Sequence, residues 1–429
     1  MDKITLVGAG SSVFGYNSVL DAVNIEDLHG SELVLHDIDG DRLDTMTGLA
    51  ERMNDDIGAN LDISKTLSQR DALDGADYVL MAIEVDRMNR WRQDWEIPFN
   101  HGIKQVIGEN GGPGGLFHTW RNLPPVLEIA RTMEDVCPDA WLLSYTNPVP
   151  RLCLAVDRYT TIKTVGLCHE VEHQLQRLAP MMGVPSSLID VVSAGLNHFS
   201  WFKEMTLTDG SDAYPLLDEV FKDAKGFQPL CRAMYDRFGL YPSTDDNHMG
   251  EYLAYAWDVT PEKDRGFNWI DRCDENGQKT WLKSKSIIEG KTPLDIKEKL
   301  SGERAMHIIA GMMKGSNHIE LQVNLPNSGQ IPNLFKDAVV ETPAVITKGD
   351  IKPIVVGNMP EGLAALLNIQ ILVQSLVVEA GVSGDLEKAK QALLVDPVVH
   401  DHEAALSAFD ELMGVHADLL PQFEVGRCI

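Results

Sequence analysis

The residues most able to do chemistry are a cysteine and two histidines. Cys168 and His169 stand side by side in GLCHEV, at the end of an apolar stretch, and His198 opens HFSW further along the chain. A thiolate and an imidazole brought together at strand ends can hold a transition metal. With only Cys168 and His198 as ligands, coordination positions stay open for substrate oxygens, which suits catalysis better than a closed structural site. The bland alternative is two buried, hydrogen-bonded side chains. A second group is Asp245 and Asp246 in YPSTDDNHMGEY, followed by His248. One of these carboxylates can act as a base, although acids in a turn are commonly just solvated. A third is Glu109, the one charged residue in the glycine-rich run GENGGPGG at 108–115.

Strands and turns have to bring these groups together. ITLVGAGSSVFG opens the chain with a short apolar strand, the turn Gly8-Ala9-Gly10 and then a helix through about residue 28; ELVLHDID follows as a second strand ending in Asp37. Strand, glycine turn, helix, strand and acid is the order of a dinucleotide site. Gly8, Gly10, Ser11, Ser12 and Val13 would meet the pyrophosphate at a helix N-terminus, and Asp37 would accept from the adenosine ribose, which favours NAD. Val13 stands where the fingerprint has its third glycine, and Asp37 comes 27 residues after Gly10, longer than the usual spacing of about 20.

ADYVLMAIEV and AWLLSYTNPVP read as buried parallel strands, the second carrying Asn147 at its carboxyl end, where it can reach the nicotinamide or the substrate. Five glycines in eight positions argue against a helix at 108–115, so that stretch reads as a flexible loop that feeds a helix near Leu116.

Composition excludes several classes. At 429 residues, 44% hydrophobic and 24% charged, the chain has the make-up of an ordinary globular protein of two domains. A net charge of −27 argues against nucleic acid as a partner. No signal peptide is legible before KITLVGAG, and no apolar run reaches the ~18 residues of a membrane helix. Six cysteines at 137, 153, 168, 231, 273 and 428 show no disulfide framework, which points to the cytoplasm. The stretch from Leu363 to Ala380 is apolar nearly all round, as for a helix that is deeply buried or at a subunit contact.

Taken together, these motifs resemble glycoside hydrolase family 4, the NAD- and divalent-metal-dependent glycosidases. The resemblance runs nearly end to end, through VGAGSSVFG, ELVLHDID, GADYVLMAIEV, GENGGPGG, CPDAWLLSYTNP, GLCHEV, LNHFSW, YPSTDDNHMGEY, SGERAMHII and QALLVDPVV. It implies an α/β fold: a Rossmann-type doubly wound parallel sheet over 1–197, then an α+β domain of the lactate dehydrogenase and family 4 glycosidase kind over 198–429. Cys168 and His198 would hold Mn2+ or another divalent metal, and Asn147 and His169 would line the sugar site.

The implied chemistry is redox-neutral. The sugar C3 is oxidised by NAD, C2 loses a proton, the leaving group departs, water adds, and the hydride returns. Asp245 and Asp246 are alternatives for the base, with Asp246 preferred, and His169 and Glu109 are alternatives for protonating the leaving group. His248 would complete the metal shell, orient the base or bind sugar. Cys-His-Glu-Val is similar to the α-glucuronidase branch, which acts on non-phosphorylated sugars. A uronic carboxylate would then meet Arg304, or else Arg87 or Arg90. Neutral α-glucosides, α-galactosides and sulfonated sugars remain alternatives, as does a lactate- or malate-type dehydrogenase without a metal. The family also implies a homodimer or homotetramer.

Overall fold

The computed structural model describes residues 1–424; Cys428 lies outside them. Eleven strands form one sheet: β1 Lys3–Val7, β2 Glu32–His36, β3 Asp62–Thr66, β4 Tyr78–Met81, β5 Trp141–Ser144, β6 Lys163–Gly166, β7 Ile189–Leu196, β8 Phe199–Leu207, β9 His318–Pro326, β10 Val339–Thr347 and β11 Asp350–Pro353. Its order is β3-β2-β1-β4-β5-β6-β9-β10-β7-β8, with β11 on β10. The first six strands are parallel in the 3-2-1-4-5-6 order of a dinucleotide-binding fold. The antiparallel strands of the second half extend the same sheet from β6.

Alternation along the parallel strands divides their side chains between two layers. Ile4, Leu6, Leu33, Leu35, Leu80 and Leu143 pack under the helices Phe14–Asn24 and Gly40–Ile57. Val7, Val79, Met81 and Leu142 face the helices Gly112–Val136 and Val149–Tyr159 instead. A separate core joins β7 and β8 to Val171, Leu175 and Leu178 of the helix Glu170–Met181. Residues 197 and 198 form the turn between β7 and β8. A division at 197/198 therefore falls inside one hairpin whose strands share a core.

The stretch 108–115 departs from its expected form. The helix begins at Gly112 and includes Pro113, Gly114 and Gly115, and every residue from Gly108 to Gly115 is buried. The glycines serve close packing. A Cβ on Gly111 would lie 2.0 Å from the Glu251 carbonyl oxygen, and one on Gly114 would lie 2.4 Å from that of Gly108.

The helix Glu361–Ser383 also corrects an expectation, because by length and composition it is apolar enough to cross a membrane. It instead packs on the helices Gly112–Val136, Val149–Tyr159 and Leu386–Val395, and it buries Gln370 and Gln374.

The glycine turn resolves the missing third glycine. Gly8 is left-handed (φ +85°), and a Cβ there would lie 2.3 Å from the Ala82 carbonyl oxygen. Gly15, the second residue of the chain's first helix, sits so close to the turn that a Cβ would lie 2.1 Å from the Ala9 carbonyl oxygen. Close helix-to-strand approach thus comes from Gly15, and Val13 is left exposed. Gly15→Ala should lower stability by about 1–3 kcal/mol, read from the urea midpoint. Gly40→Ala, with nothing within 4 Å of its Cβ position, should be close to neutral.

Candidate active site

Cys168 lies two residues beyond the end of β6, and His198 is the second residue of the β7–β8 turn. His198 is left-handed at φ +61°, a conformation that histidine adopts more readily than most side chains. Its Nε2 lies 3.3 Å from the Cys168 Sγ. The rings of His198 and His248 stack with centroids 3.9 Å apart, and His248 Nδ1 pairs with Glu251 Oε1 at 3.2 Å. Donor atoms of His198, His248 and Glu251 all lie within 4.8 Å of one another.

Electrostatics around the pair fit a cation. Burial, followed by the charges of Glu341 and Glu170, pushes the Cys168 thiol well above its usual range. Burial, then His248 and His169, holds His198 well below the histidine range, so its imidazole is neutral. The His198 Nδ1 is buried without a hydrogen-bond partner. A divalent ion must displace the thiol proton to bind, so its affinity falls with falling pH. One sulfur and one neutral imidazole nitrogen, side by side, are the donors such an ion takes.

A line of backbone pairing lies under these two ligands. Gly166 of β6 pairs with Asn324 of β9, Asn324 with Glu341 of β10, and Glu341 with Gly195 of β7. The Glu341 carboxylate is buried and accepts from Asn197 Nδ2 at 3.0 Å, Ser200 Oγ at 2.9 Å and Asn324 Nδ2 at 3.3 Å. Asn197 is the other turn residue, so this carboxylate fixes the backbone that carries His198.

Glu251 does the same for the glycine-rich stretch. Its Oε2 accepts the backbone N–H of Glu109 at 2.6 Å, Asn110 at 2.5 Å and Gly111 at 3.4 Å, and its Oε1 accepts Asn110 Nδ2 at 2.9 Å. From the C-terminal side, Asp396 accepts the Gly112 N–H at 3.1 Å. The Glu109 side chain is presented to Arg87 (2.9 Å) and to Asn147 Nδ2 (3.4 Å). Glu109 and Asn147 therefore come together.

The preferred base is not placed for that work. Asp246 accepts the N–H of Leu230 at 3.1 Å and of Cys231 at 2.9 Å, at the start of the helix Pro229–Phe238. It is a helix cap. Asp245 instead faces Arg177 at 3.1 Å. Burial first, then the charge of Glu170, raises its carboxyl to about 6. His248 moves the other way from His198: burial opposes its charge, but the Glu251 bond and the carboxylates of Glu170 and Asp245 push it up to about 10.

Arg304 is also committed elsewhere. Its guanidinium grips Glu320 with two bonds of 2.8 Å, and His318 adds a third contact to that carboxylate at 2.7 Å. A fork held in this way is not free for a sugar carboxylate. Arg90 ties Asp86 to Asp418. Of the three arginines considered from sequence, only Arg87 borders the site.

Sequence reasoning missed Arg177, Glu170, Glu251, Glu303 and Glu341. Glu251 and Glu303 sit inside quoted motifs, three residues after His248 and two after Ser301. Arg177 carries no signal beyond its spacing on the helix from Glu170. His169 Nδ1 pairs with Glu303 Oε1 at 3.1 Å.

The dinucleotide turn lies on the same edge. The Asp37 Oδ2 accepts the Gly10 N–H at 2.7 Å, Ser11 Oγ accepts that of Phe14 at 3.2 Å, and Ser12 is partly exposed beside them. Gly10 leaves no room for a side chain, since a Cβ would lie 2.8 Å from the Asp37 carboxylate. The N–H groups of Gly8 to Ser11 are engaged inside the turn, and the part open to a pyrophosphate is the mouth of the helix Phe14–Asn24 at Ser12 and Val13.

Comparison with known proteins finds matches over most of the chain. Residues 3–184 match the profile of the family 4 glycosyl hydrolases, and residues 193–399 match that of their C-terminal domain. An alpha-glucosidase of Erwinia rhapontici is 34% identical over 444 residues, covering 92% of this chain and 94% of that protein. An alpha-galacturonidase of Bacillus subtilis (strain 168) is 30% identical over 451 residues, covering 96% of each. The structure of a 6-phospho-alpha-glucosidase from gut microorganisms, in complex with NAD and Mn2+, shares the fold with a TM-score of 0.86. It is 21% identical, with 99% of this chain and 100% of that one covered.

Two carboxylates one residue apart should behave oppositely in the metal-free protein. Asp246→Ala should cost about 1–2 kcal/mol by uncapping a helix. The Asp245 carboxyl is raised in the fold, so folding favours its protonated form, and that contribution is lost as pH rises through about 6. Asp245→Asn should therefore gain stability relative to wild type between about pH 4 and 7, measured from denaturant midpoints across that range.

Proposed function

The chain belongs to family 4 of the glycosyl hydrolases, and from that premise we propose that it hydrolyses the α-glycoside of a non-phosphorylated uronic acid, an α-glucuronide or α-galacturonide. NAD and a divalent cation such as Mn2+ are its proposed cofactors, the cytoplasm its setting, and a homodimer or homotetramer its assembly. The observation that carries the reading is the Cys168–His198 pair, 3.3 Å apart, on the strand edge that also bears the glycine turn. The exposed apolar residues Ile369, Leu372, Leu394 and Val395 support a subunit contact.

When bound, the cofactors supply hydride acceptance and return at the sugar C3 and polarisation of the C2 and C3 oxygens. The remaining work falls to side chains. Asp245, with its carboxyl raised to about 6, is matched to removing the C2 proton near neutrality. Arg177, 3.1 Å away, orients it. His169, with Nδ1 occupied by Glu303, has Nε2 free for the leaving-group oxygen; Glu109 is the other donor on that wall. Asn147 and His248 border the sugar, and Gly8, Gly10 and Ser11 receive the dinucleotide with Asp37 at its ribose.

Arg177 also supports the uronide. Its side chain is 37% exposed and makes one close contact, with Asp245 at 3.1 Å, whereas Arg304 grips Glu320 with two bonds of 2.8 Å and Arg87 and Arg90 each hold two carboxylates within 3.2 Å. A guanidinium is the natural partner of a sugar carboxylate, and an alpha-galacturonidase is among the relatives. The second reading is a neutral α-glucoside, favoured by the 34% identity to an alpha-glucosidase.

The test is hydrolysis of 4-nitrophenyl α-D-glucopyranosiduronic acid and 4-nitrophenyl α-D-glucopyranoside with NAD and Mn2+ under reducing conditions. EDTA, omission of NAD, and Cys168→Ser should each abolish turnover. Asp245→Asn should lower kcat by at least about 100-fold, against a small change for Asp246→Asn. Arg177→Ala should raise KM for the glucuronide alone. Turnover only on the neutral glucoside overturns the uronide assignment, and NADH accumulation on a hydroxy acid with no glycoside cleaved overturns the mechanism.

A further inference from the structure

Residues 169–173 read HEVEH. The helix starts at Glu170, directly after His169, so two histidines four positions apart share one face. Their rings lie 4.2 Å apart, and donor atoms of His169, Glu170 and His173 all lie within 4.8 Å of one another. None of the three donors belongs to the Cys168–His198 pair.

Two further features give this group the form of a ligand set. Glu303 holds the Nδ1 of His169 at 3.1 Å and leaves Nε2 as the free ring nitrogen, 3.9 Å from Glu170 Oε1. A carboxylate behind an imidazole is what fixes the tautomer and raises the basicity of a metal-bound histidine. Glu170 is 7% exposed, and its Oε2 is buried without a hydrogen-bond partner, with Arg177 no nearer than 3.7 Å. Asp245 Oδ1 and Glu303 Oε2 are likewise buried and unpartnered.

We propose that His169, Glu170 and His173 form a second divalent-cation site, separate from the cysteine-containing one. Its nitrogen and oxygen donors, without sulfur, suit Zn2+, Co2+ or Mn2+ rather than a soft ion. Rotation of the partly exposed His173 closes the remaining distance. Occupancy ties up the Nε2 of His169, so an excess of divalent metal inhibits an enzyme that uses His169 on its substrate. That consequence rests on the proposed role of His169; the site itself does not.

Titration of the full-length, metal-stripped protein with Co2+ tests the proposal, because only a cysteine ligand gives the sulfur-to-cobalt charge-transfer band. Wild type should bind two equivalents, one of them with that band. Cys168→Ser should lose the band and keep one equivalent. His173→Ala and Glu170→Gln, checked for folding by circular dichroism, should keep the band and lose the second equivalent. A single equivalent in wild type, or two in His173→Ala, overturns the second site. A missing charge-transfer band in wild type speaks only against the cysteine site and leaves the His173 comparison decisive.

Discussion

The row Gly166, Asn324, Glu341 and Gly195 is the constraint on which the candidate site depends. It crosses four strands at the level of the Cys168–His198 pair, and two of its links are, among the described residues, the only registered backbone pairs joining those strands: β6 to β9 and β10 to β7. A carboxylate buried at that crossing costs several kcal/mol unless it is bonded. Asn197, Ser200 and Asn324 supply those bonds. The glycines at either end are required by space: a Cβ on Gly195 would lie 2.5 Å from the Phe199 carbonyl oxygen, and one on Gly166 would lie 2.9 Å from the Asn324 Cβ.

Glu251 repeats the device on the opposite wall. One carboxylate gathers three successive N–H groups and the imidazole of His248. The glycine-rich turn and the ring stacked on His198 therefore cannot move independently. Asp396 explains why the C-terminal motif QALLVDPVV belongs to the same set: it closes the turn at Gly112 from the far end of the chain. Sequence segments hundreds of residues apart meet here because each supplies one acceptor to an otherwise unsatisfied backbone.

Much of this was legible in the sequence, and the limits have physical causes. Short apolar runs ending in glycine, asparagine or cysteine gave the parallel half, since buried parallel strands and their carboxyl-end turns are local patterns. Strand ends made Cys168 and His198 candidates for a pair, and the family resemblance implied it; their 3.3 Å approach is read from the structure. Asp245 and Asp246 could not be separated, because neighbouring side chains point apart and only the position of the helix Pro229–Phe238 decides which one it takes. Arg304 looked free because its partner Glu320 lies on a strand that sequence alone could not bring alongside. The run 108–115 misled for a related reason: glycine disfavours an isolated helix, whereas here close backbone neighbours demand it.

The strand order also dictates when the site can exist. β7 and β8 are made before β9 and β10, yet lie beyond them in the sheet. A growing chain can close the hairpin that carries His198 as soon as residue 207 has emerged, and the helix Glu170–Met181 can pack on it at once, but the sheet links through Asn324 and Glu341 follow later. The strands that set both halves of the ligand pair in one sheet thus arrive only after more than a hundred further residues of synthesis. During that interval local packing of one helix on one hairpin is all that relates the two ligands, and their final spacing waits on the most non-local pairings of the sheet.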